Sequence, residues 1–163
     1  MMKIHEHLVK VYSPLDPLCK TMSQAQLWRW LEWFVRHPHD FTESMEGSRV
    51  EESLDDQGRP LLKRELDFGS MKVNDIVTIE VGRYIRTEVA ASEHWSAGAF
   101  TIAMVQPKEN GSIFLKFTYE EDRDEPMGDD MISNLRRKAY EQKDRDMVEM
   151  ILQKAQEESA SLN

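Results

Sequence analysis

The stretch "LLKRELDFGSMKVNDIVTIEV", Leu61 to Val81, decides the fold. Two runs of alternating apolar and polar residues flank Gly69-Ser70, the signature of a β-hairpin with a two-residue loop. Each run carries a charge on its apolar side. Arg64 sits among Leu62, Leu66 and Phe68, and Asp75 sits among Val73, Val77 and Ile79. A two-residue loop sets Phe68 opposite Met71 and Leu66 opposite Val73, which brings Arg64 opposite Asp75. The two misfits are then cross-strand partners, close enough for an ion pair. A three-residue loop would offset them. Charges are rarely buried unless paired, so the pair reads either as a brace within the sheet or as a ligand-facing arginine held by Asp75.

Outward from this hairpin the text remains strand and turn. Upstream, Arg49 to Leu54 forms a weaker strand ahead of the turn "DDQGRP". The hairpin itself takes Pro60 to Phe68 and Met71 to Val81. Downstream come Arg83 to Ala91, Ala97 to Val105, the loop "QPKENG" and Ser112 to Glu120. Six strands joined by short turns predict an antiparallel meander. Phe100, Ile102 and Met104 share one face of their strand, and Ile113, Leu115, Phe117 and Tyr119 share one face of the next. A tight connection would pair Met104 with Ile113, Ile102 with Leu115 and Phe100 with Phe117. Before the meander, Ile4 to Tyr12 alternates as a strand with His5, His7, Val9 and Val11 on one side. "SQAQLWRWLEWFVRHP" follows as a helix, with Ser23 as N-cap and Pro38 ending it or opening a short second turn.

After the charged connector "EDRDEPMGDD", Asp129 or Asp130 can cap a last helix running to about Glu158, with a frayed tail over about 157–163. Ile132, Leu135, Ala139, Tyr140, Met147, Val148, Ile151 and Ala155 follow helical spacing. This long helix is the natural cover for the apolar face of a curved antiparallel sheet. The fold class is therefore α+β. Asp144 interrupts the apolar stripe next to Tyr140, so it either lies solvated at the stripe's edge or faces the interior near Arg64.

The chain has 163 residues, enough for one domain, 1–163, with a core of its own. No apolar run approaches the ~20 residues of a membrane span. The N-terminus lacks an apolar leader, so a cytoplasmic location is expected. A net charge of −9 argues against binding a phosphate backbone, hence no nucleic acid partner. Cys19 is the single cysteine; it permits no intrachain disulfide and is read as an ordinary loop residue. His5 and His7 have zinc-like H-x-H spacing, but a third ligand is not evident, and His37, His39 and Asp40 have no stated route to them. No metal and no cofactor are expected. His7 suits a hydrogen bond to a neighbour or proton transfer near neutral pH. No nucleophile elbow, phosphate loop or H-E-x-x-H motif occurs.

Seven stretches resemble the START/Bet v1-like (SRPBCC) superfamily, and within it the AtaL-like subgroup. They are "HEHLVKV" (5–11), "PLDPL" (14–18), "MSQAQLW" (22–28), "LKRELDFG" (62–69), "VNDIVTI" (73–79), "FLKFTYE" (114–120) and "AYEQKDRDMV" (139–148). The resemblance implies a helix-grip fold: a seven-stranded curved antiparallel sheet wrapped around a long C-terminal helix, with one or two short helices after strand 1. It also implies a cavity between sheet and helix that, in the superfamily, takes lipids, sterols, polyketides or other hydrophobic molecules. The sequence departs from the pattern at Trp30 and Trp33, where smaller residues are usual, and at His37 and His39.

Two functions follow. The first is binding of a small hydrophobic or amphipathic molecule, with Arg64 anchoring an anionic group and Asp75, His7, Tyr119, Tyr140, Asp144, Phe100 and Phe117 as further candidate ligand contacts. The second is a cyclase, aromatase or dehydratase acting on a polyketide-like substrate, with His7 or Asp144 as acid or base and Arg64 stabilising an enolate. A cavity filled by its own aromatic and methionine side chains would favour neither. The oligomeric state is open between monomer and homodimer.

Overall fold

The computed structural model describes residues 1–13, 22–105 and 111–161. Seven antiparallel strands form one sheet in the order β1-β7-β6-β5-β4-β3-β2. They are β1 (Met2–Tyr12), β2 (Gly47–Leu54), β3 (Pro60–Asp67), β4 (Lys72–Glu80), β5 (Tyr84–Val89), β6 (Gly98–Val105) and β7 (Ile113–Glu121). Helix α1 (Gln24–Arg36) and a 3-10 turn (Pro38–Asp40) lie between β1 and β2, and helix α2 (Met131–Ser161) ends the described chain. This is the helix-grip arrangement, a curved sheet closed by a long C-terminal helix. The segment "PLDPL", Cys19 and most of the loop "QPKENG" lie outside the described residues, as do residues 162 and 163.

Local chemistry explains the short-range elements. Ser23 Oγ accepts the Gln26 N–H at 3.0 Å and starts α1. Leu27, Leu31 and Val35 repeat at four-residue steps and are buried. The β3–β4 hairpin turns at Gly69, whose φ of +84° is one that glycine tolerates without cost. The Phe68 N–H donates to the Met71 carbonyl at 2.9 Å, closing a two-residue loop. Leu66 therefore faces Val73 and Arg64 faces Asp75, as the hairpin text predicts.

Two expectations require correction. Met104 pairs with Leu115, Ile102 with Phe117 and Phe100 with Tyr119. The β6–β7 register is thus two residues away from the tight-turn pairing, because the connection is longer than assumed. A slip of two keeps every side chain on its face, since the strand period is two. The second correction concerns α2. Ile132 and Leu135 are 75% and 59% exposed, and Ala139 is exposed as well. Of the stripe, Met147, Val148, Ile151 and Ala155 enter the core and Tyr140 packs against it half-buried. The helix is helical as far as Ser161, beyond the expected end at Glu158 and through the first part of the tail expected to fray. Trp33 is exposed and stacks on His37, with ring centroids 3.8 Å apart.

Candidate functional site

The strand pairing of β1 with β7 sets His5 beside Tyr119 and His7 beside Phe117 on the concave face. Helix α2 then lowers Asp144 between the two strands. Its carboxylate is completely buried. Tyr119 donates its hydroxyl to this carboxylate, 2.8 Å from each oxygen, and His7 Nε2 lies 2.6 Å from Oδ2. Around these polar groups is an aromatic layer. Tyr140 stacks on Tyr119 at 4.0 Å, His7 on Phe117 at 5.4 Å, and Phe100 packs against both Tyr119 and Phe117. Asp144 is therefore an interior group and not a solvated edge.

Burial raises the Asp144 pKa above the ordinary carboxylate value, opposed by the bonds from His7 and Tyr119 and by the Lys143 charge. Burial also pushes the Tyr119 phenol far up, and the neighbouring Asp144 carboxylate adds to the effect. His5 moves down for the same first reason, burial, against the raising influence of Glu141. Its Nε2 is buried without a hydrogen-bond partner, 3.7 Å from Glu141 Oε1. The other two histidines of interest stay apart from this cluster: His37 stacks on Trp33 and His39 lies 2.9 Å from Ser48 Oγ.

Arg64 and Asp75 form a second polar unit. The guanidinium Nε and Nη2 each donate to one Asp75 oxygen at 2.7 Å, a bidentate pair. Arg64 Nη1 donates to the Val35 carbonyl at 2.9 Å, near the end of α1. The pair thus ties the hairpin to the C-terminus of α1, where carbonyls lack helical partners. Both side chains are nearly inaccessible, at 8% and 2% exposure.

The two units meet across a cavity of about 460 Å³. Its walls come from three sources. Phe34, Val35, Phe41 and Met45 line the α1 side; Arg64, Leu66, Phe68, Thr87 and Phe100 rise from the sheet; Lys143, Asp144, Met147 and Met150 descend from α2. Of the candidates expected from sequence, Arg64, Phe100 and Asp144 line this space directly. Asp75 stands behind Arg64, and Tyr119 and His7 stand against Asp144. Sequence reasoning missed Lys143. The spacing Lys143, Met147, Met150 is a helical stripe adjoining the one that carries Asp144, and it was the available signal.

The model of the family "AtaL: Acetylaranotin biosynthesis cluster protein L" matches residues 9–158. No curated protein matches the chain in sequence. Among solved structures, a START superfamily protein from Mycobacterium smegmatis is 14% identical with a TM-score of 0.56, over 93% of this chain and 98% of that one. The Zhui aromatase/cyclase from Streptomyces sp. R1128 is 14% identical with a TM-score of 0.54, over 93% and 92%. The di-domain aromatase/cyclase StfQ of the steffimycin biosynthetic pathway is 8% identical with a TM-score of 0.60, over 98% of this chain and 52% of that one. Coverage of most of the chain by one family model leads to one assignment, and the solved structures share its architecture: with the helix-grip fold of START/Bet v1-like proteins, the chain belongs to the AtaL family.

Proposed function

We propose that the chain is a single-domain binding protein for a small amphipathic molecule, mostly apolar, held between the sheet, α1 and α2. The observation that carries this reading is the 460 Å³ cavity with apolar walls and a few convergent polar groups. Likeness to a START protein and to aromatase/cyclases supports it. In this reading Arg64 holds the cavity wall to α1 and offers the ligand its unused donors. A guanidinium has five N–H bonds, and three of them go to Asp75 and Val35. A cytoplasmic location, and no nucleic acid partner in view of the net charge of −9, belong to the same proposal. Native mass spectrometry of purified protein tests it. A retained small molecule, or uptake of planar aromatic or fatty probes at one per chain, is expected. A protein that arrives empty and takes up none of these probes would sink the reading.

A second reading has one observation in its favour, the buried Asp144 whose pKa is raised while His7 and Tyr119 hold both its oxygens. Such a group can accept and return a proton α to a carbonyl. Solvent deuterium exchange into a bound 1,3-diketone probe measures this. Exchange that Asp144→Asn abolishes supports the enzyme; equal exchange in both proteins overturns it.

A further inference from the structure

The cavity is lined by three charged side chains, Arg64, Lys143 and Asp144. Two of them are already committed. Arg64 is neutralised by the bidentate Asp75 carboxylate, and the oxygens of Asp144 are occupied by Tyr119 and His7. Lys143 differs. As a whole residue it is exposed, yet its ammonium turns inward and lies 4.9 Å from the Phe100 ring centroid and 5.2 Å from that of Tyr119. Among the described residues no carboxylate lies within ion-pairing distance of it, and its contacts are these two aromatic faces. A cation over ring faces is modestly stabilised, but its three N–H donors find no oxygen there.

We infer that Lys143 is the anion anchor of the cavity, taking the carboxylate, or an equivalent oxyanion, of an aromatic amphiphile whose body rests on Phe100 and the α1-side wall. The inference rests on the binding reading above. An ammonium held at a cavity mouth can meet an entering anion and keep its own stem in water. The ring faces hold the charge in position without neutralising it, so a ligand oxyanion is the partner that completes its hydrogen bonds. Burial lowers the Lys143 pKa and the nearby Asp144 opposes that shift, so an oxyanion bound beside the ammonium would favour its charged form further. Phe34, Phe41 and Met150 give the ligand body apolar contact on the opposite side. Arg64, whose charge Asp75 already balances, holds the wall and gives the ligand its unused donors but no counter-charge.

The test is calorimetric titration of naphthalene-1-carboxylate and its neutral isostere naphthalene-1-carboxamide into wild type, Lys143→Met, Lys143→Arg and Lys154→Met. Lys154 is the control: its ammonium covers Phe41 at 5.3 Å but does not line the cavity. A charge-assisted contact predicts that wild type prefers the carboxylate by about tenfold or more. Lys143→Met should lose that preference and keep its affinity for the carboxamide, Lys143→Arg should retain most of it, and Lys154→Met should retain all. A preference unchanged in Lys143→Met, or absent from wild type while the carboxamide binds, overturns the anchor and leaves the cavity reading standing. Binding of neither probe to wild type overturns the cavity reading and the anchor with it.

Discussion

Single residues carry the two sharpest tests of the interior. Arg64 and Asp75 are buried together with their hydrogen bonds matched, so removing one partner leaves the other charge stranded. Asp75→Ala should cost about 3–5 kcal/mol in denaturant unfolding, whereas the apolar pair Arg64→Met with Asp75→Leu should recover most of that loss. Recovery would show that the pair matters as a pair. Arg64→Lys should be costly despite its charge, because an ammonium cannot reproduce two parallel bonds and the link to Val35. Asp144 makes a prediction of opposite sign to the usual carboxylate. Its pKa is raised above 3.8 in the folded chain, so the folded state favours its protonated form. Its contribution to stability is complete below the unfolded value and is lost as pH rises through the folded pKa. The stability of wild type minus that of Asp144→Asn should therefore fall with rising pH across that window. A difference that rises would mean that the bonds from His7 and Tyr119 outweigh burial. Asp144 was legible as an anomaly on its stripe, and Arg64 with Asp75 as a matched pair. The His7–Asp144–Tyr119 contact was not, because it joins residues on three elements and depends on how α2 sits over β1 and β7.

At the level of elements, local rules succeeded where the connection was short. The two-residue loop at Gly69-Ser70 determines its hairpin register, and the structure has that register. The β6–β7 connection is longer, so alternation specified the face of each strand but not which residues meet. Helix α2 shows the other limit. Thirty-one residues make a helix of about 46 Å, and among the described residues its first turns pack on nothing that buries them. Apolar periodicity does not register where along a helix its partners stop, and it credits Ile132 and Leu135 with burial they do not have. The two ends of the helix should thus respond differently to substitution. Ile151→Ala, at a fully buried site, should cost about 2–5 kcal/mol. Leu135→Lys, at an exposed one, should change unfolding free energy by no more than about 0.5 kcal/mol. A large cost at Leu135 in denaturant melts would point to a partner, such as a second copy, covering that end in solution.

For the molecule as a whole, an unfilled cavity is a stability deficit that a ligand can reverse. Side chains around a void forgo dispersion contacts on one side, and any molecule that binds only the folded chain adds RT ln(1 + [L]/Kd). At about one hundred times Kd the gain is about 2.7 kcal/mol. For a chain of this size that corresponds to a Tm increase of about 5–10 °C. Naphthalene-1-carboxylate should produce this shift in thermal melts, and its size should follow ligand concentration logarithmically. Thr87 offers the complementary experiment. It is buried, lines the cavity, and sits opposite Phe100 in the β5–β6 pairing. Thr87→Leu puts hydrocarbon where the ligand body would rest. If the space is open in solution, this variant should melt at or above the ligand-free wild type, and the ligand-induced shift should disappear. If other side chains already occupy the space, the same change overpacks the interior and should lower stability by about 1–3 kcal/mol. The sign of that one change in Tm, read together with the lost or retained ligand shift, separates a cavity built for a guest from an interior filled by its own aromatic and methionine side chains.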